Sequence, residues 1–269
     1  MRRILLPCLL VAVAAAPAAA QRRPQPQLLL TIFGGLATGA DLWEINRQAL
    51  SRRSDPTTVD SLRLTRSLQS GLSLGAGATY FRGTNLGFTA EIAYLGHSID
   101  NFCELAYEDP ALVNPGENEA VCNDINRQDP SAVVLVFSAG AIYRVASRSF
   151  ASPYVRAQAG ITARSASTVE MQGQFVLGGE TQSRLVLDDP KRGAVNPTAA
   201  LGLGVMIPVG PGYQVRLEAR DHMLLVRRAT GPAPAGSLQV PPTGTRLVHS
   251  VGLLLKLDIV LEQRRGRRY

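Results

Sequence analysis

One segment of the chain carries polar and charged side chains at every second position. Gln214, Arg216, Glu218 and Arg220 alternate with apolar residues, and His222 continues the series. Alternate residues of a β-strand point to opposite faces, so these five side chains share one face. Such a row can form ion pairs with opposite charges that other strands bring against this face.

The same alternation elsewhere assigns more charged residues to one common face. An arginine that faces lipid at the bilayer midplane costs about 2–4 kcal/mol, so several together are expected to face the inside of a barrel. The predicted luminal charge network consists of Glu91, Arg144, Arg156, Arg164, Arg216, Glu218, Arg220, His222, Lys256 and Asp258. Gln158 falls on the same inward face, whereas Asp221 breaks the pattern on the outward face.

Two interpretations of this network stay open. In the first, the opposite charges only neutralise one another inside a barrel too narrow for a wide pore. In the second, an arginine exchanges between carboxylate partners and opens a narrow path. The excess of cations in the network would make such a path anion-preferring.

Eight alternating segments have the length of membrane-spanning strands. About 11 residues of strand, tilted by about 40°, cover about 28 Å of the bilayer normal. The predicted strands are 28–39, 67–81, 86–97, 131–145, 153–165, 194–207, 213–226 and 247–261. Short connections at 82–85, 146–152 and 208–212 alternate with long ones. The prediction is therefore an all-β, transmembrane, antiparallel up-and-down β-barrel of eight strands, with long extracellular loops and short periplasmic turns.

The long connection 166–193 contains a predicted hairpin. Two alternating runs, 174–177 and 184–187, flank Gly178 and Gly179, and a glycine pair suits a tight turn. We expect this hairpin to continue the fifth and sixth strands beyond the membrane. If its arms instead cross the membrane, the barrel has ten strands.

The N-terminus predicts export from the cytoplasm. Arg2 and Arg3 precede an apolar run that ends in small residues before Gln21, which is the pattern of a secretory signal peptide. We expect a signal peptide at 1–20, an outer-membrane barrel at 21–261 and a basic tail at 262–269. After residue 20 no apolar run reaches 18 residues, so membrane insertion would use strands. The expected location is the outer membrane of a diderm bacterium, with both termini in the periplasm.

The second long connection, 98–130, holds both cysteines of the expected mature chain. In an exported protein an even pair such as Cys103 and Cys122 predicts a disulfide, and two free thiols are the alternative. This connection is also acidic, with Arg127 as its one basic residue. Its carboxylates lack the regular spacing of a calcium-binding loop. We therefore expect a solvated acidic face, with a divalent-cation site as the alternative.

These features resemble the small outer-membrane β-barrels of the outer membrane protein A and X type. The resemblance is architectural: it rests on the signal peptide, the strands, the alternating connections and aromatic residues near strand ends. Those aromatic residues are Phe81, Phe88, Tyr94, Tyr143 and Tyr213. In that family such residues form girdles at the membrane interfaces. The chain departs from the family near its end, where a basic run precedes Tyr269.

A soluble barrel of the lipocalin type also alternates, with its apolar residues pointing inward. The second face of the strands distinguishes the two classes. It carries small residues such as Gly75, Gly77, Gly202 and Gly204, where a solvent face would carry long polar side chains. Small residues suit a crowded lumen, so the membrane barrel is favoured.

The resemblance implies a structural or surface-interaction role through the long loops. A narrow porin-like channel for small solutes, anionic ones included, is the alternative, and a lipid-modifying enzyme is a third class. In the lipid A deacylase family a histidine and a serine two residues apart share one face, whereas His249 and Ser250 are adjacent and point to opposite faces. We therefore expect no enzyme activity, cofactor or metal site.

The expected partners follow from the same features. Apart from the basic tail, the arginines are scattered, which does not indicate a nucleic-acid surface. We expect outer-membrane lipid around the barrel and an extracellular ligand or surface partner at the loops. The chain is expected to be a monomer.

Overall fold

A computed structural model describes residues 26–108, 116–145, 150–165, 167–190, 195–234 and 239–262. The expected signal peptide and, apart from Glu262, the expected basic tail lie outside these residues. Their boundaries therefore stay predictions. No helix in the described residues is long and apolar enough to cross a membrane.

The described residues form twelve strands and one helix. They are β1 (Gln27–Ala37), β2 (Ala40–Ser51), β3 (Val59–Leu68), β4 (Gly71–Phe81), β5 (Leu86–Tyr107), α1 (Glu117–Ile125), β6 (Ser131–Arg144), β7 (Ser152–Arg164), β8 (Met171–Leu177), β9 (Glu180–Leu187), β10 (Val195–Gly210), β11 (Tyr213–Ala229) and β12 (Thr243–Glu262).

Eight of these strands close into a barrel. Their order around the ring is β1, β4, β5, β6, β7, β10, β11 and β12, which is their order along the chain, and β12 pairs with β1. Neighbouring strands are antiparallel throughout the ring. The predicted eight-stranded, up-and-down barrel is confirmed. One end of the barrel, called here the turn end, carries the short connections, and the other, called the loop end, carries the long ones.

The outer wall of the barrel is an apolar surface. Strand residues alternate between buried and exposed, and the exposed set is rich in large hydrophobic side chains. Examples are Leu36, Ile92, Leu203 and Leu253, of which Leu253 is 71% exposed. A solvated wall would carry polar side chains here, so this surface is the lipid-facing band of a membrane barrel.

The aromatic residues near strand ends are divided between the two faces. Phe88, Tyr94, Tyr143 and Tyr213 are exposed on the outer wall. Phe81 was predicted among them but is fully buried, because it lies on the inward face of β4. It packs with Leu29, Ile142, Tyr154 and Met206 in a small apolar cluster inside the barrel.

The first long connection, predicted as a loop over 40–66, contains strands. Strands β2 and β3 form a hairpin, and β3 pairs with the half of β5 that extends beyond the barrel. The prediction missed these strands because β2 contains two irregularities, between Asp41 and Trp43 and between Ile45 and Gln48. Each shifts the alternation of inward and outward residues, so the period of two is lost in the sequence.

The predicted hairpin around Gly178 and Gly179 is present as β8 and β9. Both glycines have positive φ, at 61° and 87°, as a glycine turn requires. The hairpin was expected to continue the barrel strands, but this expectation is wrong. Strands β8 and β9 form a separate two-stranded sheet. It packs against α1, which places Gly173 of β8 against Val121 of the helix.

These elements form one folded unit at the loop end, called here the cap: β2, β3, the outer half of β5, α1, β8 and β9. Its apolar core is continuous with the apolar side chains in the loop end of the lumen. The core members from the cap are Leu42, Trp43, Ile45, Leu50, Leu62, Leu64, Val121, Ile125, Val169, Met171, Phe175, Val186 and Leu187. The members from the barrel include Phe33, Ala93, Leu95, Val136, Leu224 and Leu254.

Candidate functional site

The barrel interior is layered. The cluster around Leu29 and Phe81 fills the turn end, and the core shared with the cap fills the loop end. Between these two apolar layers lie buried charged side chains from β5, β7, β11 and β12. This charged layer is the candidate functional site, because charges buried away from water interact with one another far more strongly than charges in water do.

Inward glycines make room for the long side chains of this layer. Gly202 is paired with Arg156 on β7 and with Arg220 on β11. A Cβ atom on Gly202 would lie 2.8 Å from Cγ of Arg156 and 3.0 Å from a carboxylate oxygen of Glu218. In the same way, Gly204 lies beneath the ring of Tyr154. The small residues of this face therefore leave space for the long polar side chains that lie over them.

Two carboxylates and three cations form the centre of the layer, called here the central ion network: Glu91, Arg156, Glu218, Arg220 and Lys256. Nη1 of Arg156 is 2.7 Å from Glu91 Oε1 and 3.2 Å from Glu218 Oε2. Arg220 is 2.9 Å from Glu91 through Nη1 and 2.6 Å from Glu218 through Nε. Nζ of Lys256 is 3.2 Å from Glu91 and 3.0 Å from Glu218. Each carboxylate therefore contacts all three cations.

The hydroxyl of Tyr154 completes this arrangement by donating a 2.6 Å hydrogen bond to Oε2 of Glu218. This contact could not be predicted from the sequence, because an inward tyrosine on β7 is also typical of an ordinary core residue. All five charged side chains of the network are at most 1% exposed. Removing one partner from such a group leaves a buried charge without compensation, which costs about 3–5 kcal/mol.

A second ion pair lies beside the network and joins Arg216 to Asp258. Oδ1 of Asp258 also accepts a 2.7 Å hydrogen bond from the hydroxyl of Thr31, and Oδ2 accepts one from the amide of Gln214. Arg144 has no carboxylate partner among the described residues. Its guanidinium lies 3.6 Å from the ring centre of Phe81, where a cation–π contact stabilises the cation.

The described part of the barrel interior thus contains five buried cations and three buried carboxylates. The cations are Arg144, Arg156, Arg216, Arg220 and Lys256, and the carboxylates are Glu91, Glu218 and Asp258. His222 is also buried, at 3% exposure. Several polar atoms of this layer have no hydrogen-bond partner among the described residues, including both ring nitrogens of His222 and both amide atoms of Gln158.

Arg164 is a predicted network residue that lies outside the charged layer, as does Arg144 over Phe81 at the turn end. Arg164 lies half-buried at the loop end of β7, where its Nη1 donates a 3.1 Å hydrogen bond to the hydroxyl of Thr168. Arg164 lies on the inward face of β7, but it is six residues beyond Gln158 toward the loop end. It therefore contacts the cap and not the central ion network.

Asp221, which interrupted the outward apolar pattern of β11, has a partner. Its carboxylate is 2.7 Å from Nδ1 of His249 on the neighbouring strand β12. Both side chains are on the outer wall. The sequence showed both residues but not their pairing, because it did not give the register of β11 against β12.

The cap contains a buried polar cluster that sequence reasoning missed. Arg52 and Asp60 form an ion pair at 3.0 Å, with side chains 1% and 2% exposed. The amide of Asn118 on α1 donates to Asp60 and to the backbone of Leu50. Arg52 and Asp60 are eight residues apart in the sequence and lie on either side of the β2–β3 turn. This spacing could have indicated the ion pair, but only if both segments had been predicted as strands.

The acidic connection was expected to be a solvated face, but part of it is structural. The carboxylate of Glu117 accepts hydrogen bonds from the backbone N–H groups of Arg53 and Ser54. Asp124 likewise accepts one from the backbone of Gln174 at 2.8 Å. These carboxylates hold α1 against the β2–β3 turn and the β8–β9 hairpin. No cluster of metal-ligating side chains occurs in the described residues.

The predicted disulfide between Cys103 and Cys122 is present and ties β5 to α1. Two further contacts fix residues 168–170 on the cap. The indole Nε1 of Trp43 donates a 2.7 Å hydrogen bond to the backbone oxygen of Thr168, and Arg66 donates one to that of Glu170. Burial lowers the pKa of Arg66 to about 10. The disulfide therefore holds α1 to the extended end of β5 within the cap, and polar contacts and the shared apolar core hold the cap to the barrel mouth.

Neither a protein-family model nor a curated protein sequence matches this chain. Three solved structures of bacterial membrane proteins are similar to it at low identity. Neisserial surface protein A is 13% identical, with a TM-score of 0.42 over 86% of this chain and 96% of its own. Outer membrane protein OprG from Pseudomonas aeruginosa is 12% identical, with a TM-score of 0.46 over 89% and 98%. Outer membrane protein AlkL, determined in lipid bilayers, is 10% identical, with a TM-score of 0.40 over 94% and 98%.

Proposed function

We propose that this chain is a closed outer-membrane β-barrel that anchors the cap at the cell surface as a binding module. The observation that carries the proposal is the continuous apolar core joining the lumen to the cap. A packed interior of this kind stabilises one fixed arrangement of the cap, and a rigid scaffold suits a binding surface. In this proposal the loop end is extracellular and both termini are periplasmic.

The layered interior supports a closed barrel. A side chain that fills the lumen leaves no continuous water path, and two apolar layers enclose the central ion network. In an eight-stranded barrel the interior is just wide enough for side chains to fill it. The resemblance to the outer membrane protein A and X type remains architectural, and the function proposed here does not depend on it.

The outward face of β3 and β5 in the cap is the proposed contact surface. Phe102 is 47% exposed there, although it lies beyond the lipid-facing band. Asp100 and Glu104 flank it at the neighbouring outward positions of β5. An exposed aromatic residue between carboxylates suits a partner with basic and apolar groups. We propose an extracellular protein or peptide segment of that composition, bound by a monomeric barrel.

A narrow passive channel is the second candidate. The observation that favours it is that Arg156 contacts Glu91 and Glu218 through a single nitrogen, Nη1. An arginine shared in this way could move toward one carboxylate and open a path past the other. The excess of buried cations would favour small anions in that path.

An enzymatic role is not part of the proposal. The Asp221–His249 pair could in principle act as a base. However, no serine or threonine hydroxyl among the described residues is hydrogen-bonded to His249. A hydrolase of the serine type needs its nucleophile within hydrogen-bond reach of the base.

The binding function can be tested by panning. Refolded residues 21–269 in lipid nanodiscs would be presented to a random peptide display library. The proposal expects enrichment of peptides that combine lysine or arginine with aromatic residues, and loss of their binding in Glu104→Lys. Enrichment that is insensitive to Glu104→Lys, or no enrichment, would refute the proposed contact surface.

A further inference from the structure

Two rows of inward side chains lie next to each other on the wall formed by β7, β10 and β11. In one row Gly202 lies between Arg156 and Arg220. In the next row toward the loop end, Ala200 lies between Gln158 and His222. Consecutive inward positions of a strand are about 7 Å apart. The register therefore places the four long side chains at adjacent inward positions beside β10, with Arg156 and Glu218 lying over Gly202.

These four side chains carry unpartnered hydrogen-bond donors, as Arg144 and Arg216 do elsewhere in the interior. Among the described residues, no partner is present for Nε and Nη2 of Arg156, for Nη2 of Arg220, or for the amide nitrogen of Gln158. Both ring nitrogens of His222 are also unpartnered, and one of them carries a hydrogen in any tautomer. All four side chains are at most 5% exposed. Buried donors are almost always satisfied, so a group that accepts hydrogen bonds is required here.

The charge of the central ion network points to the nature of that group. Arg156, Arg220 and Lys256 bring three positive charges, whereas Glu91 and Glu218 bring two negative ones. The remaining positive charge is buried between two apolar layers, where an uncompensated charge is expensive. A water molecule could accept the hydrogen bonds but would leave that charge in place. A small monovalent anion would do both.

We propose that the lumen holds one small monovalent anion, of the chloride class, between Arg156, Arg220, Gln158 and His222. The two carboxylates are occupied by the cations of the central ion network, and the anion binds the guanidinium nitrogens that they leave unpartnered. This site is a structural ion site in a closed barrel. It does not require conduction, and it is independent of the proposed contact surface on the cap.

Bromide provides a direct test, because its anomalous scattering locates it in a crystal. Residues 21–269, refolded in detergent and crystallised with sodium bromide in place of chloride, should show one anomalous peak inside the barrel. The peak is expected within hydrogen-bond distance of Arg156 Nη2 and Arg220 Nη2. An interior without a bromide peak would overturn the proposal.

Stability provides an independent test in solution. The urea midpoint of unfolding should rise with chloride concentration when gluconate keeps the ionic strength constant, because an ion that binds only the folded state stabilises it. This chloride dependence should be lost in Lys256→Met, which removes the excess charge. It should persist in Arg63→Met, which removes an exposed cation of the cap. Equal chloride dependence in both variants would contradict the site.

A third variant keeps the test valid if Lys256→Met does not fold. Gln158→Leu preserves the size of the side chain and every charge of the network, but it removes one donor to the anion. We expect it to fold and to need several-fold more chloride for half of the midpoint shift. A chloride response identical to that of the unchanged chain would count against the proposed ligands.

Discussion

Glu91 on β5 and Glu218 on β11 lie on opposite sides of the barrel and contact the same three cations. Three strands lie between β5 and β11 around the eight-stranded ring in either direction. Arg156, Arg220 and Lys256 each lie within 3.2 Å of both carboxylates. The central ion network therefore spans the full diameter of the lumen. It ties opposite walls together and also occupies the space through which a solute would pass.

Glu218→Gln should destabilise the barrel strongly. The change keeps the size of the side chain but leaves three buried cations with one carboxylate. We expect a loss of about 3–5 kcal/mol in the free energy of unfolding, because a buried charge loses its compensation. Urea titration monitored by heat-modifiable gel mobility would measure it.

Glu44→Gln is the matched control for this change. Glu44 pairs with Arg63, but both side chains are more than 40% exposed. Exposed pairs contribute about 0–1 kcal/mol, so this variant should unfold close to the unchanged chain. Equal losses for the two variants would show that the buried network does not have the stabilising role described here.

Gly202→Ala should also destabilise the barrel, although it adds a single methyl group. The new Cβ atom would meet Arg156 Cγ at 2.8 Å and would displace that side chain from its two carboxylates. Overpacking of this kind costs about 1–3 kcal/mol. Gly83→Ala is the control, since a Cβ atom there has no neighbour within 4 Å. If Gly202→Ala proved as stable as Gly83→Ala, the interior would be looser than the described packing.

Much of the fold follows from the sequence because period-two alternation is a local signal. The eight barrel strands were predicted in this way, and the parity of β11 assigned Arg216, Glu218 and Arg220 to one face. The cap could not be predicted, because the irregularities at Asp41 and Gln48 hide the alternation of β2. Its core also depends on contacts between segments far apart in the chain, such as Trp43 with Thr168.

The candidate site shows the same limit. Parity indicates which side chains face inward, but it does not give the stagger between strands. The contacts of Tyr154 with Glu218 and of Asp221 with His249 depend on that stagger. Arg164 has the inward parity of the network but lies too far along β7 to reach it. The alternation therefore predicted which face each side chain occupies, but not its position along the barrel axis.

Removal of the disulfide should loosen the cap and leave the barrel intact. Cys103 and Cys122 are 19 residues apart, and closing a loop of that length stabilises the folded state by about 3 kcal/mol on the chain-entropy model. We expect the double variant Cys103→Ser, Cys122→Ser to be cleaved faster by protease in the cap. Its heat-modifiable mobility should persist. If the double variant lost both the protease resistance of the cap and the heat-modifiable mobility, the cap and the barrel would unfold as one unit.

Phe102→Ser should abolish binding of the peptides selected by panning without affecting folding. Phe102 is exposed on the cap, so its removal takes apolar area from the contact surface and none from the core. Val176→Ser is the control, because Val176 is also exposed, at 68%, but lies on the separate β8–β9 hairpin. Binding that is lost equally in both variants would indicate a non-specific apolar surface.

Single-channel recording tests the closed barrel most directly. Residues 21–269 would be refolded, checked for heat-modifiable mobility and inserted into planar bilayers. Because apolar layers and the central ion network fill the lumen, we predict no discrete conductance steps from the folded chain. Reproducible steps of uniform size would contradict the closed barrel and would make the narrow channel the leading function.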